Sequence, residues 1–99
     1  MDANAGEHSQ KSGWEGRWTG PEGTYLQISK QGDGYKIENR TLDASEYYQG
    51  VFKDGKIIFQ RGGRQETLTK VDGRLTGMKW LADKHDCLAI KPGEGFCRD

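Results

Sequence analysis

The chain reads as an all-β protein, an eight-stranded antiparallel up-and-down meander closed into a small barrel. Three observations predict this. Fifteen glycines in 99 residues sit mostly between short apolar runs. Within those runs the apolar residues alternate with polar ones, the period of a strand with one buried face. No segment sustains a period of 3.6 over three turns.

The strands follow in order. RWT at 17–19 comes first, then TYLQISK at 24–30, where Leu26 and Ile28 share a face. YKIENR at 35–40 places Tyr35 with Ile37, and EYYQGVFK at 46–53 puts Tyr47 and Tyr48 on opposite faces. KIIFQR at 56–61 pairs Ile57 with Phe59, and RQETLTKV at 64–71 is the sixth run. RLTGMKWLA at 74–82, with Met78 and Trp80 two apart, is read as the seventh strand, and CLAIK at 87–91 as the eighth. The connections contain Asp-Gly and Gly-Gly pairs, which supply the positive φ of two-residue hairpin turns. Turns this short join sequence neighbours antiparallel, since parallel pairing needs a long crossover. Curling the meander into a barrel buries its apolar face and removes open edges; a meander folded over as two sheets shares the same local features.

Residues 1–12, MDANAGEHSQKS, offer no large apolar group beyond Met1 and form a flexible polar tail. The barrel domain then occupies 13–99. Hydrophobic content is only 32%, so the ten aromatic residues, three of them Trp, must supply much of the core.

Cys87 and Cys97 are the only cysteines. Lys-Pro-Gly-Glu at 91–94 can turn the chain back, with a bulge at Gly93 or Gly95 bringing the sulfurs opposite each other. A disulfide there contributes about 2.5–3 kcal/mol by restricting the unfolded chain. Free thiols and a metal site are the alternatives. A metal would recruit His85, Asp83 or Asp86, but His85-x-Cys87 fits no usual zinc spacing. The disulfide reading implies an oxidising compartment, the bacterial periplasm or cell envelope. The polar tail suits an envelope lipoprotein, with Met1 standing where a signal was cut and a lipid anchor attached.

Composition narrows function. Lysine plus arginine equals aspartate plus glutamate, at 15 each, against the basic excess that phosphate binding needs, so no nucleic-acid partner is expected. Lys53, Lys56, Arg61 and Arg64, interleaved with Tyr47, Tyr48, Phe52 and Phe59, read as a solvated hairpin face rather than a stacking platform. No apolar run spans a membrane. Catalysis has little material: His8 is in the tail, His85 sits in a turn, and neither Ser29 nor Ser45 lies in a nucleophile elbow. The protein is expected not to be an enzyme and to need no cofactor or metal.

Gly16-Arg17-Trp18, with Gly23 five residues after the Trp and Thr24, Tyr25, Leu26 and Ile28 following, resembles the opening of the calycin barrels. These are the lipocalins, fatty-acid-binding proteins, avidins and certain bacterial barrel-shaped protease inhibitors. The resemblance implies that Trp18 plugs one end of the barrel and that Arg98 stacks on it. Where avidins place biotin-contacting side chains, this chain has Gly20, with none to offer, and Thr24. The stretch 76–87, TGMKWLADKHDC, resembles a small bacterial envelope family without an assigned activity.

The candidate ligand-binding residues are Trp18, Tyr35, Tyr48 and Trp80, and their alternative role is to fill or plug the barrel. Strands this short leave an eight-strand interior just wide enough for side chains, so a groove at one rim is expected rather than a deep cavity. Whichever of Tyr47 and Tyr48 faces outward forms, with Tyr25, a candidate exposed aromatic patch, or else isolated cross-strand supports. The expected function is non-enzymatic binding of a partner protein or small ligand at the rim by a monomer. Inhibition of a protease or lysozyme is the alternative.

Overall fold

The computed structural model describes residues 13–91 and 93–98, apart from the Trp80 side chain. The expected tail, 1–12, lies outside the described residues. Eight strands follow one another antiparallel: β1 Gly16–Thr19, β2 Tyr25–Gln31, β3 Gly34–Arg40, β4 Ser45–Lys53, β5 Lys56–Arg61, β6 Arg64–Val71, β7 Asp86–Lys91 and β8 Glu94–Arg98. β8 returns to β1 through Thr19 opposite Cys97, and the barrel closes. No α-helix occurs among the described residues, only three short 3-10 turns.

The hairpin turns follow the expected chemistry. Asp54-Gly55 and Gly62-Gly63 have positive φ at both central positions, which matches the twist of the flanking strands.

The strand count is as expected, but its membership differs. Residues 74–82 do not form a strand. They fold into 3-10 turns at Gly73–Thr76 and Lys79–Leu81 within a strap that joins β6 to β7. The strap runs up the outer face of the β7–β8 hairpin and back, with the Gly93 N–H bonded to the Thr76 carbonyl (2.8 Å) and the Gly73 N–H to that of Lys84 (2.8 Å). Gly73 passes so close to the Leu81 carbonyl that a Cβ has no room. The spacing that matters is three, not two. Met78 and Leu81 lie one 3-10 turn apart and pack together with Val71 over the two cysteines. The eighth strand is Glu94–Arg98, the return segment after the expected turn at 91–94, which the sequence reading does not count as a strand.

Cys87 and Cys97 stand directly opposite each other on β7 and β8 and form a disulfide. Both are buried, on the outer face beneath the strap. The register shift lies in β7 between Ala89 and Lys91, not at Gly93 or Gly95. Ile90 is therefore the extra residue.

Inside the barrel, alternate residues of successive strands meet: Trp18, Leu26, Ile28, Tyr35, Ile37, Ile57, Phe59, Leu68, Leu88 and Phe96 are all buried. This interior is packed with side chains. One end is shut by Trp14, which is fully buried and meets Phe52 edge-on (6.2 Å between centroids). The Trp18 Nε1–H donates to the Trp14 carbonyl (2.9 Å). Arg98 stacks on Trp18, 3.9 Å from the ring centroid, as the calycin resemblance implied. It also donates to the carbonyls of Gly13 (2.6 Å) and Glu15 (3.0 Å) and pairs with Asp86 (3.0 Å).

Candidate functional site

The opposite end of the barrel is its mouth, where β1, β3, β5 and β7 finish and β2, β4, β6 and β8 begin. Extending the strand alternation by one step brings polar side chains to the inner wall there. Asn39 follows Tyr35 and Ile37, Arg61 follows Ile57 and Phe59, and Glu66 lies opposite Phe59. Glu46 precedes Tyr48 on β4, and Glu94 precedes Phe96 on β8.

Arg61 is the centre of a charged cluster. Its guanidinium grips both oxygens of Glu94 (2.7 and 3.0 Å) and reaches Glu66 (3.2 Å). The arginine and both glutamates are each at most about a quarter exposed, so water screens these contacts only in part. The hydrogen bonds to Glu94 hold Arg61 above its usual pKa despite the opposing cost of burial. Beside it the Tyr48 hydroxyl donates to Glu46 (2.6 Å), and the Tyr48 ring lies 5.2 Å from Phe59. Burial first, then the Glu46 bond and charge, push the Tyr48 phenol up to about 12. Glu46, Glu66 and Glu94 against Arg61 leave the mouth wall formally negative.

A groove of about 380 Å³ opens at this end, between the β1–β2 connection, the β3–β4 turn and the start of β8. Phe96, Met78 and Pro21 give it apolar walls, and Asn39, Arg40 and Glu94 line it with polar ones. Met78 reaches it from the strap, where its sulfur accepts from the Gly95 N–H (3.2 Å).

The β3–β4 turn at its edge is rigid. The Thr41 hydroxyl donates to the Ala44 carbonyl (2.9 Å) and accepts from the N–H groups of Asp43 (3.2 Å) and Ala44 (3.1 Å). Leu42 at the tip is 65% exposed.

The three candidate ligand residues whose side chains are described do not share a surface. Trp18 and Tyr35 are buried in the packed interior. Burial, then the Glu15 charge, raises the pKa of Tyr35. Of these three, only Tyr48 reaches the mouth wall. Trp80 lies on the strap's second 3-10 turn, with its side chain outside the described residues. Gly20 sits hard against Phe96 and Thr24, and the Thr24 hydroxyl is already given to the Pro21 carbonyl (2.7 Å).

Tyr47 is exposed on the outer face, with Lys36 5.4 Å from its ring, while Arg17 stacks at 3.9 Å on Tyr25. The basic residues split between ends: Lys53 and Lys56 flank the turn at the plugged end, Arg61 and Arg64 the turn at the mouth. Ser45 donates to Glu38 (2.7 Å) at the mouth end, whereas His85 precedes β7 at the other. His8 lies outside the described residues. No group of three or more histidine, cysteine, aspartate or glutamate residues among the described ones is placed to hold a metal.

Asn39, Arg61, Glu66, Glu94 and Trp14 were not among the candidates. The signal for the first four was the inward register itself, carried to the strand ends at one side of the barrel. Trp14 precedes β1 and falls in no alternating run. Comparison with protein-family models, curated proteins and solved structures returned no match.

Proposed function

We propose that this chain is a non-enzymatic, monomeric binding barrel of the calycin type that seats a small ligand or a segment of a partner protein at its mouth. The carrying observation is the pairing of a filled interior with a mouth groove lined by Phe96, Met78 and Pro21. A filled interior speaks against a deep carrier cavity, and a concave patch with few polar groups suits rim binding. The Trp18–Arg98 stack supports the calycin assignment. The Cys87–Cys97 disulfide supports work outside the reducing cytosol, in a bacterial periplasm or envelope, where a lipid anchor ahead of residue 13 fits. The test is a screen of neutral fragments against isotope-labelled protein. Shift changes should concentrate at 20–24, 39–43, 78 and 93–96. Changes centred on Ile37, Leu68 and Leu88 would place binding in the interior and sink the rim reading.

One observation favours a second reading, inhibition of a protease or lysozyme. The Thr41–Ala44 turn is already locked and projects Leu42 outward; a preordered loop loses little entropy on docking. This reading expects stoichiometric loss of hydrolase activity that Leu42→Asp abolishes.

A further inference from the structure

The strap connects the disulfide to the mouth. Met78 and Leu81 pack with Val71 over Cys87 and Cys97, which are 0% and 1% exposed. Met78 also lines the groove, where its sulfur accepts from the Gly95 N–H (3.2 Å). Beside it the Thr76 carbonyl accepts from the Gly93 N–H (2.8 Å), and Thr76 presses on Gly95 so closely that a Cβ there has no room. The seat of the strap on the β7–β8 hairpin therefore decides whether Met78 walls the groove.

We propose that the strap is a redox gate on the mouth groove: the Cys87–Cys97 disulfide lets it lie flat and seat Met78, and reduction of that bond lifts it. This rests on the mouth-binding reading and names its regulation. The reason is room. Bonded sulfurs lie about 2 Å apart, whereas two thiol sulfurs in contact need about 3.5–4.0 Å. The backbones that carry them cannot spread to provide it. Cys87 pairs with Val71 of β6 on one side and Cys97 on the other, and Cys97 pairs in turn with Thr19 of β1. Four laddered strands thus fix the two cysteines, and the barrel interior behind them is filled with side chains. The strap lies outside that ladder, held by turn bonds and by packing on the sulfurs themselves. Over-filling a packed site forces its surroundings to shift, and the strap is the wall held least.

The reductant is a dithiol. Its first thiolate attacks one sulfur as the strap opens, and its second thiol displaces the resulting mixed disulfide. Both electrons come from the dithiol, which leaves as its own disulfide, and its two protons end on Cys87 and Cys97. A disulfide oxidant takes the same two electrons back. A chain whose cysteines are still thiols lacks the Met78 wall, so the groove is completed only where that bond can form and persist.

The test compares the full chain, oxidised and then reduced with dithiothreitol, by trypsin cleavage and amide exchange. Arg74 and Lys79 are exposed cleavage sites on the strap, and Lys53, Lys56 and Arg64 at the hairpin turns serve as references. Reduction should speed strap cutting relative to those references by about tenfold or more, since cleavage follows the population of the opened form. The Gly93 and Gly95 amides should exchange faster by a similar factor, while those of β2 to β5 stay protected. Cys87→Ala in reductant also lacks the cross-link but leaves Cys97 uncrowded. Its strap should be cut several-fold more slowly than that of the reduced parent. Equal strap cutting in the oxidised and reduced chains would overturn the inference. So would loss of protection in β2 to β5 together with the strap, or Cys87→Ala cut as fast as the reduced parent. None of these readouts uses a ligand, so their failure strikes the gate alone and leaves the mouth reading to the fragment screen.

Discussion

The two ends of the barrel solve the same problem in opposite ways. Each strand must stop, and the core exposed there must be covered or left open. At the plugged end Trp14 covers it, held by Trp18, Phe52 and the Arg98 clamp. At the mouth the wall is charged, with Arg61 shared between Glu66 and Glu94 and a groove left beside it. A large buried aromatic stabilises strongly, while partly wet ion pairs add little. Stability is therefore concentrated at one end and open chemistry at the other.

Truncating the plug is the sharpest way to break this contrast. Trp14→Ala should cost about 3–5 kcal/mol in urea unfolding, and a loss under 1 kcal/mol would mean that the end does not depend on its plug. Next in size is the disulfide. The double variant Cys87→Ala with Cys97→Ala should lose about 2.5–3 kcal/mol. In the unmodified chain both sulfurs should resist alkylation without reductant, and two readily alkylated thiols would contradict the pairing. At the mouth, Arg61→Met should cost only about 1 kcal/mol, chiefly by leaving Glu66 and Glu94 without their shared cation.

The smallest effect is a titration. Tyr48 should ionise near 12, above its ordinary value of 10.0. Because the folded state holds this proton more tightly, the contribution to stability is complete below pH 10 and fades as pH rises towards 12. An ultraviolet phenolate titration should show late ionisation from both Tyr35 and Tyr48, and Tyr48→Phe should remove the Tyr48 share of it. Glu46→Gln should move that share earlier.

The same contrast explains what could be read in advance. Strands β2 to β6 carry clear alternation, and glycines mark the turns on either side of β5, so the bounds of these strands lie within one residue of expectation. The strap mimics a strand in sequence because Met78 sits both two residues from Trp80 and three from Leu81, and only the covered disulfide selects the spacing of three. β8 holds a single apolar residue on its inward face, Phe96, too little to announce a strand; the need to set Cys97 opposite Cys87 was the better clue. At the mouth, aromatic residues suggest ligand contacts because pockets favour them. The inward-facing polar residues were legible in principle, as breaks in an apolar register at matching strand ends. No strand period reaches Trp14, whose role depends on a carbonyl bond and a ring contact made across the fold.

Arg98 binds the carbonyls of Gly13 and Glu15, so the two extremities of the folded body emerge side by side at the base. A support fixed at Gly13 itself would stand as a pedestal beneath the barrel. The groove opens at the far end, clear for whatever approaches from solution.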